Sequence, residues 1–136
     1  MIFLDTNVIA ETLKPRPAAR VIEWLTAHDA VISLPSISLA ELAYGIERIR
    51  PDERAGRLEK GLSAWRGRFR DQIQSFTQAD ALAYGQLMGS AARSGRTMSV
   101  PDGLIAAMAL ARGWALATRN IKDFEPTGIE LIDPWH

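Results

Sequence analysis

Met1-Ile2-Phe3-Leu4-Asp5-Thr6-Asn7 opens the chain, and its reading decides the fold. Four apolar residues without a helical period suit a buried strand, and Asp5-Thr6 supplies the polar break at which such a strand gives way to a helix. The carboxylate of Asp5 is therefore placed just beyond the carboxyl end of a strand. In an open parallel sheet, ligands collect at that edge.

The same alternation continues along the chain. A helix is expected over 6–14, then a break at Lys14-Pro15-Arg16-Pro17 and a second helix through Ala27. Val31 to Leu34 reads as a strand. Leu39, Leu42, Ala43, Ile46 and Ile49 mark one face of a helix that Pro51 ends. With a following helix over 52–70, this gives a helical hairpin around residues 38–70. Ile73 to Phe76 reads as a strand and Gln78 to Ala92 as a helix. Pro101 opens another helix, which Gly113 closes. Trp114 to Thr118 is a strand, followed by a loop through Asp123-Phe124 and a last strand over Ile129 to Ile132. Strands alternating with helices predict an α/β fold with a mainly parallel, twisted central sheet flanked by helices. No repeat or linker divides the chain, so residues 1–136 are expected to form a single domain.

Composition narrows the chemistry. The 136 residues include no cysteine, which removes disulfides, thiolate metal sites and cysteine nucleophiles. No apolar run approaches the roughly 20 residues that span a bilayer, and no signal peptide is evident, so a cytoplasmic protein without a membrane partner is expected. Sixteen basic residues balance sixteen acidic ones, so the net charge lacks the strongly basic footprint of many nucleic-acid binders. The balance is uneven locally. Half of the basic residues lie between Arg48 and Arg70, against Asp52, Glu53 and Glu59. Helical spacing of Leu58, Leu62, Trp65 and Phe69 would leave those arginines on a solvated face, and phosphate or partner contact is the alternative.

Four acids occupy comparable junctions: Asp5, Glu41, Asp102 and Asp123. Each also has a local explanation. Asp5 can cap the helix that follows it. Ser38-Leu39-Ala40-Glu41 fits a capping box, which would put Glu41 in the first turn of its helix, as Asp102 is in the first turn of the next. Asp123 can be a turn residue. Asp102 fits its local role least well, because helical spacing aligns it with Ala106 and Ala109 on a buried face, where a carboxylate needs a partner. Four carboxylates drawn together would repel and take up protons unless a cation offset them. All-oxygen ligation favours Mg²⁺ or Mn²⁺, and the matching chemistry is metal-assisted attack of water on a phosphodiester.

Phe3-Leu4-Asp5-Thr6-Asn7, Leu39-Ala40-Glu41-Leu42 with Tyr44-Gly45-Ile46, and Asp102-Gly103-Leu104-Ile105-Ala106-Ala107 follow in the order and spacing of a known family. Ala117-Thr118-Arg119-Asn120, Asp123-Phe124 and the closing 128–135 complete the set. Over nearly its whole length the chain resembles the PIN-domain ribonucleases, and within them the VapC toxins of type II toxin–antitoxin modules. The resemblance implies a single PIN-like domain and a ribonuclease; the quartet and the lack of usable histidines make the expectation an Mg²⁺- or Mn²⁺-dependent endoribonuclease that leaves 5′-phosphate and 3′-hydroxyl ends. It implies metal ligation and catalysis by Asp5, Glu41, Asp102 and Asp123, with Asn7, Thr118 and Asn120 in support. Turn chemistry after a strand is the other account of Thr118 and Asn120. The implied partners are an RNA substrate, a second copy in a homodimer, and a cognate antitoxin whose chain would lie across the helical hairpin and block the site. Relatives often carry an acid where this chain has Thr77, and Asp80 lies a turn further on. Asp80 and Glu11 are left out of the site, Glu11 as an exposed helix residue.

Three alternatives fit less well. A haloacid-dehalogenase-like phosphatase needs a second aspartate at the position of Asn7. A non-catalytic PIN-like binding domain should have lost one of the acids, and all four are present. A metal-free ribonuclease with paired histidines would have only His28, in a helix, and the terminal His136.

Overall fold

The computed structural model describes residues 1–136. Its five strands are β1 (Ile2–Leu4), β2 (Ile32–Pro35), β3 (Ile73–Gln74), β4 (Ala115–Ala117) and β5 (Leu131–Ile132). They form one sheet in the order β3-β2-β1-β4-β5, with every neighbouring pair parallel. The α/β fold and parallel sheet expected from the alternation of elements are borne out. Strands as short as these suffice because Phe3, Leu4, Ile32, Leu34, Leu116 and Ala117 are almost wholly buried, and both faces of the sheet are covered.

Seven helices supply the cover: α1 (Thr6–Thr12), α2 (Ala19–Ala27), α3 (Ser36–Arg48), α4 (Arg54–Arg68), α5 (Gln78–Arg93), α6 (Val100–Arg112) and α7 (Ile121–Phe124). Successive side chains of a strand point to opposite faces, and the core divides accordingly. Leu4 and Ala117 join Val8, Ile9, Val21, Leu25, Leu42, Ile46 and Leu62 on the face covered by α1 to α4. Phe3 and Leu116 join Ile105, Met108 and Phe124 on the opposite face. Burying a side chain of this size contributes roughly 1.5–3 kcal/mol, so each face holds its helices mainly by apolar contact.

The helical hairpin is present as α3 and α4, which pack together. Leu62 and Phe69 face the core and the eight basic side chains from Arg48 to Arg70 are all exposed, so the segment is a solvated face. Arg50, Arg54 and Arg68 are spent on ion pairs with Glu47 and Glu59, with Asp52 and with Asp29. Ala43 proves exposed, so the inward stripe of α3 is narrower than its spacing suggested.

Other differences have local causes. Val31 closes a 3-10 turn with its N–H on the His28 carbonyl, so β2 begins at Ile32. The third strand stops at Gln74, and Phe76 turns to pack in the Phe3 face of the core. Asp123, expected in a loop, lies within α7. Helix α3 begins three residues earlier than a cap at Ser38 would allow, after Pro35, which overturns the capping box. Ser38 instead donates its hydroxyl to the Leu4 carbonyl at 3.0 Å and ties α3 to β1. Glu41 consequently leaves from the second turn. Glu11, expected to be exposed, is 6% exposed: Lys14 Nζ donates to it at 2.8 Å and the Ala18 N–H at 2.9 Å. These bonds hold its carboxyl below the ordinary value and fix the Lys14–Pro17 break against α1.

Asp80 stays outside the site for a structural reason. It closes a capping box with Thr77 at the start of α5 and accepts from Arg112 Nη1 at 2.6 Å. Burial raises its pKa, but the Arg112 guanidinium and the Thr77 N–H more than offset that and hold it low. Arg112 ends α6, ten residues or about 15 Å along the axis from Asp102. No helix is long and apolar enough to cross a membrane.

Candidate functional site

The sheet order contains one topological switch. The chain winds outward from β1 through β2 to β3, then returns to the other side of β1 as β4. The crevice beyond the carboxyl ends of β1 and β4 is the place where this architecture binds ligands. Asp5 and Thr118 are the first residues past those two strands, and the Asp5 N–H extends the ladder to the Ala117 carbonyl at 2.9 Å.

Asp5 is 3% exposed and thoroughly held. Its Oδ1 accepts from the Thr6 N–H at 2.8 Å, so it does cap α1. Its Oδ2 accepts from Thr118 Oγ1 at 2.7 Å and from Asn7 Nδ2 at 3.2 Å. Burial pushes its pKa up to about 6; the Thr118 hydroxyl and Thr6 N–H pull it down, and the charges of Asp102 and Glu41 add to the rise. Cap and shared charge cluster are thus two roles of one side chain.

The supporting residues divide. Thr118 is fully buried and both donates to Asp5 and accepts from the Asn120 N–H at 3.0 Å, so the turn and the support of the acid are one arrangement. Asn7 bridges, donating to Asp5 and accepting from the Arg119 N–H at 3.3 Å. Asn120 contributes its backbone N–H, and its side chain makes no capping bond.

Glu41 is half-buried and accepts from Thr6 Oγ1 at 2.6 Å. Thr6 thereby links two of the acids, a role that sequence reading missed because a hydroxyl after Asp5 looks like ordinary helix-start chemistry. Asp102 is half-buried in the first turn of α6, and its backbone N–H donates to Ser99 Oγ at 3.2 Å. Burial raises its carboxyl above the ordinary value, the Ser99 contact opposes this, and the charges of Glu41 and Asp123 push it further up. Ser99-Val100-Pro101-Asp102 carries the spacing of a helix start, which was the signal available for Ser99. Asp123 is exposed and reaches Asp102 electrostatically, but is not among the groups that act on Asp5.

Asp5, Glu41 and Asp102 thus share one field, and Asp123 joins through Asp102. No three acidic or histidine side chains converge tightly enough to hold an ion as they stand. The donor set nevertheless fits a hard divalent cation: every group is a carboxylate oxygen, and the mutual charge that adds to burial in raising the carboxyls of Asp5 and Asp102 is what a cation would offset. The amino terminus of α6 adds a favourable dipole end beside Asp102.

A separate cavity lies away from the acids. An apolar groove of about 440 Å³ runs between α2 and α4, lined by Ile22, Leu25, Ile32, Trp65 and Phe69 with Arg68 at its rim. Thr12 at the far end of α1 also borders it, accepting from Trp65 Nε1 at 2.8 Å. Its lining carries none of the four acids, so it suits a docked apolar segment more than the chemistry.

The sequence profile described as PIN domain matches residues 2–128. A VapC ribonuclease, Y4jK of Sinorhizobium fredii, is 37% identical, with 99% of this chain and 98% of that protein covered. The toxin FitB of Neisseria gonorrhoeae is 33% identical over 100% of this chain and 99% of its own length. The crystal structure of FitAcB from Neisseria gonorrhoeae superposes with a TM-score of 0.87 at 33% identity, covering 100% of this chain and 99% of that one.

Proposed function

The chain belongs to the PIN-domain family, and from that premise we propose that it is the toxin of a type II toxin–antitoxin pair, an Mg²⁺- or Mn²⁺-dependent endoribonuclease. The observation that carries the reading is Asp5 at the switch point of the sheet, buried, held by Thr6, Asn7 and Thr118, and within the field of Glu41 and Asp102.

Asp5, Glu41, Asp102 and Asp123 would hold the ion, with Asp5 as the central ligand. A divalent ion bound there supplies Lewis-acid activation of water and offsets charge on the phosphodiester being cleaved. The chain's own groups do the positioning. Thr118 and Asn7 fix the orientation of the Asp5 carboxylate, and Thr6 keeps Glu41 turned toward it. Ser99 sets the first turn of α6, which aims Asp102 at the same crevice.

RNA is the substrate and the cytoplasm the place of action. The antitoxin is proposed to lay an apolar segment in the α2–α4 groove, on the second helix of the hairpin. Exposed Tyr44 on α3, Leu82 on α5 and Val100 on α6 offer apolar surface for a homodimer.

The test is cleavage of total RNA by the purified chain with Mn²⁺, with excess chelator, and with Asp5→Asn. Metal-dependent products with 5′-phosphate ends, lost in the variant, are expected. Cleavage that persists in chelator, or products ending in 2′,3′-cyclic phosphate, would overturn the assignment.

A further inference from the structure

An acidic centre alone is a poor place for a polyanion, and the chain as a whole carries no net charge to attract one. Cations near the carboxylates must supply that attraction, and most of the arginines with a defined partner are already committed. Arg50, Arg54, Arg68 and Arg112 bind carboxylates, and Arg20 Nη2 donates to the His136 carbonyl at 2.9 Å. Arg119 is one of several cations without an ion pair, and its place beside Asp5 sets it apart. It follows Thr118 directly, is exposed, and forms no ion pair.

Its position is nevertheless fixed at both ends. The backbone N–H donates to Asn7 Oδ1 at 3.3 Å, one bond from the Asp5 carboxylate. The guanidinium lies 4.8 Å from the centroid of the Trp135 ring, and Trp135 is itself packed on the core and donates its N–H to Asp133 Oδ1 at 2.9 Å. Arg119 also adds to the field that lowers the Glu11 carboxyl, so its charge reaches along α1. Glu11 is six residues from Asp5, about 9 Å along that helix. Lys14, the other cation there, is occupied by Glu11 at 2.8 Å.

We propose that Arg119, held over Trp135 and tied to Asn7, forms a subsite for a backbone phosphate of the RNA adjoining the one that is cleaved. A guanidinium presents a fork of donors that matches phosphate oxygens, and stacking on Trp135 removes rotamer freedom before the substrate arrives. The subsite touches substrate without touching the reacting atoms, so it governs binding rather than the chemical step.

The proposal rests on the ribonuclease reading, and its test separates the two. Binding of a short unstructured single-stranded RNA is measured in the Asp5→Asn background over about 50 to 200 mM KCl, the range in which phosphate contacts report themselves. Arg119→Ala should lower the slope of log Kd against log salt by about 0.7, the value for one phosphate contact to a single strand. Arg119→Lys should keep most of that slope. In the otherwise wild-type chain with Mn²⁺, Arg119→Ala should raise KM about tenfold with kcat nearly unchanged.

An unaltered salt slope in Arg119→Ala overturns the subsite, whether its thermal stability falls, marking a clasp for the carboxyl terminus, or its antitoxin affinity falls, marking a partner contact. Loss of the slope in Arg119→Lys as well would support the subsite and assign the contact to the guanidinium fork held on Trp135 rather than to charge alone. If the wild-type chain leaves RNA intact, the ribonuclease reading fails first and independently.

Discussion

Replacing Asp5 by asparagine should stabilise the protein at neutral pH while abolishing its proposed activity. In the fold the carboxyl of Asp5 titrates near 6 rather than at its ordinary 3.8, with burial the main cause. A raised carboxyl pKa means that the folded chain binds a proton more tightly than the unfolded one. The penalty is therefore fully present above pH 6, where both states are ionised, shrinks as the pH falls from 6 toward 3.8, and is absent below. Each tenfold change in proton affinity is worth about 1.4 kcal/mol, so keeping Asp5 ionised at neutral pH costs about 3 kcal/mol.

Asparagine removes the charge but also an acceptor, since one of the oxygens serving Thr6, Thr118 and Asn7 becomes an NH2 group. That loss is worth about 1 kcal/mol, which leaves a net gain of roughly 1–2 kcal/mol. Urea unfolding of both chains in chelator, near neutral pH and near pH 4, measures it. The variant should be the more stable at the higher pH and lose its advantage at the lower. A saturating divalent ion should reverse the order, adding about 2.7 kcal/mol to the wild type at a hundredfold excess over Kd and less to the variant. A variant less stable than wild type near neutral pH in chelator, or an advantage that does not vary with pH, would refute the reasoning and leave Asp5 as a helix cap.

Thr118→Val preserves shape but removes the buried donor to Asp5, so metal affinity and cleavage should fall about 10- to 100-fold, read by metal titration and initial rates. Arg112→Met leaves Asp80 buried and unpaired and should cost about 3–5 kcal/mol in denaturant unfolding, whereas pairing it with Asp80→Leu should recover most of that. Ala64→Arg narrows the α2–α4 groove from an exposed position; it should leave RNA cleavage intact while weakening antitoxin affinity, measured by titration of the purified pair.

Much of this protein is written locally. The Ile2–Leu4 run, the alternation of apolar strands with amphipathic helices, Pro101 opening α6 and Gly113 closing it in a left-handed turn all act within a few residues, and sequence patterns report such effects directly. The four acids were legible for the same reason, as carboxylates at element junctions. Glu41 and Ser38 show where that reasoning stops. Their spacing mimics a capping box, but a serine three residues past the end of β2 is worth more as a donor to the Leu4 carbonyl of another strand. Glu11 looked like a surface residue because nothing in its helical spacing records the Ala18 N–H that folds back onto it.

By itself, the sequence determined an α/β fold with a parallel sheet and four carboxylates whose chemistry suits a hard cation. Only the tertiary structure decided that β4 returns beside β1, which sets the Thr118 hydroxyl on an aspartate 113 residues away and lets Thr6 join Asp5 to Glu41 across 35. Periodicity specifies which face of an element is buried, and not which element it meets. The order of strands, and with it the electrostatic coupling of the acids, follows from packing the whole chain at once.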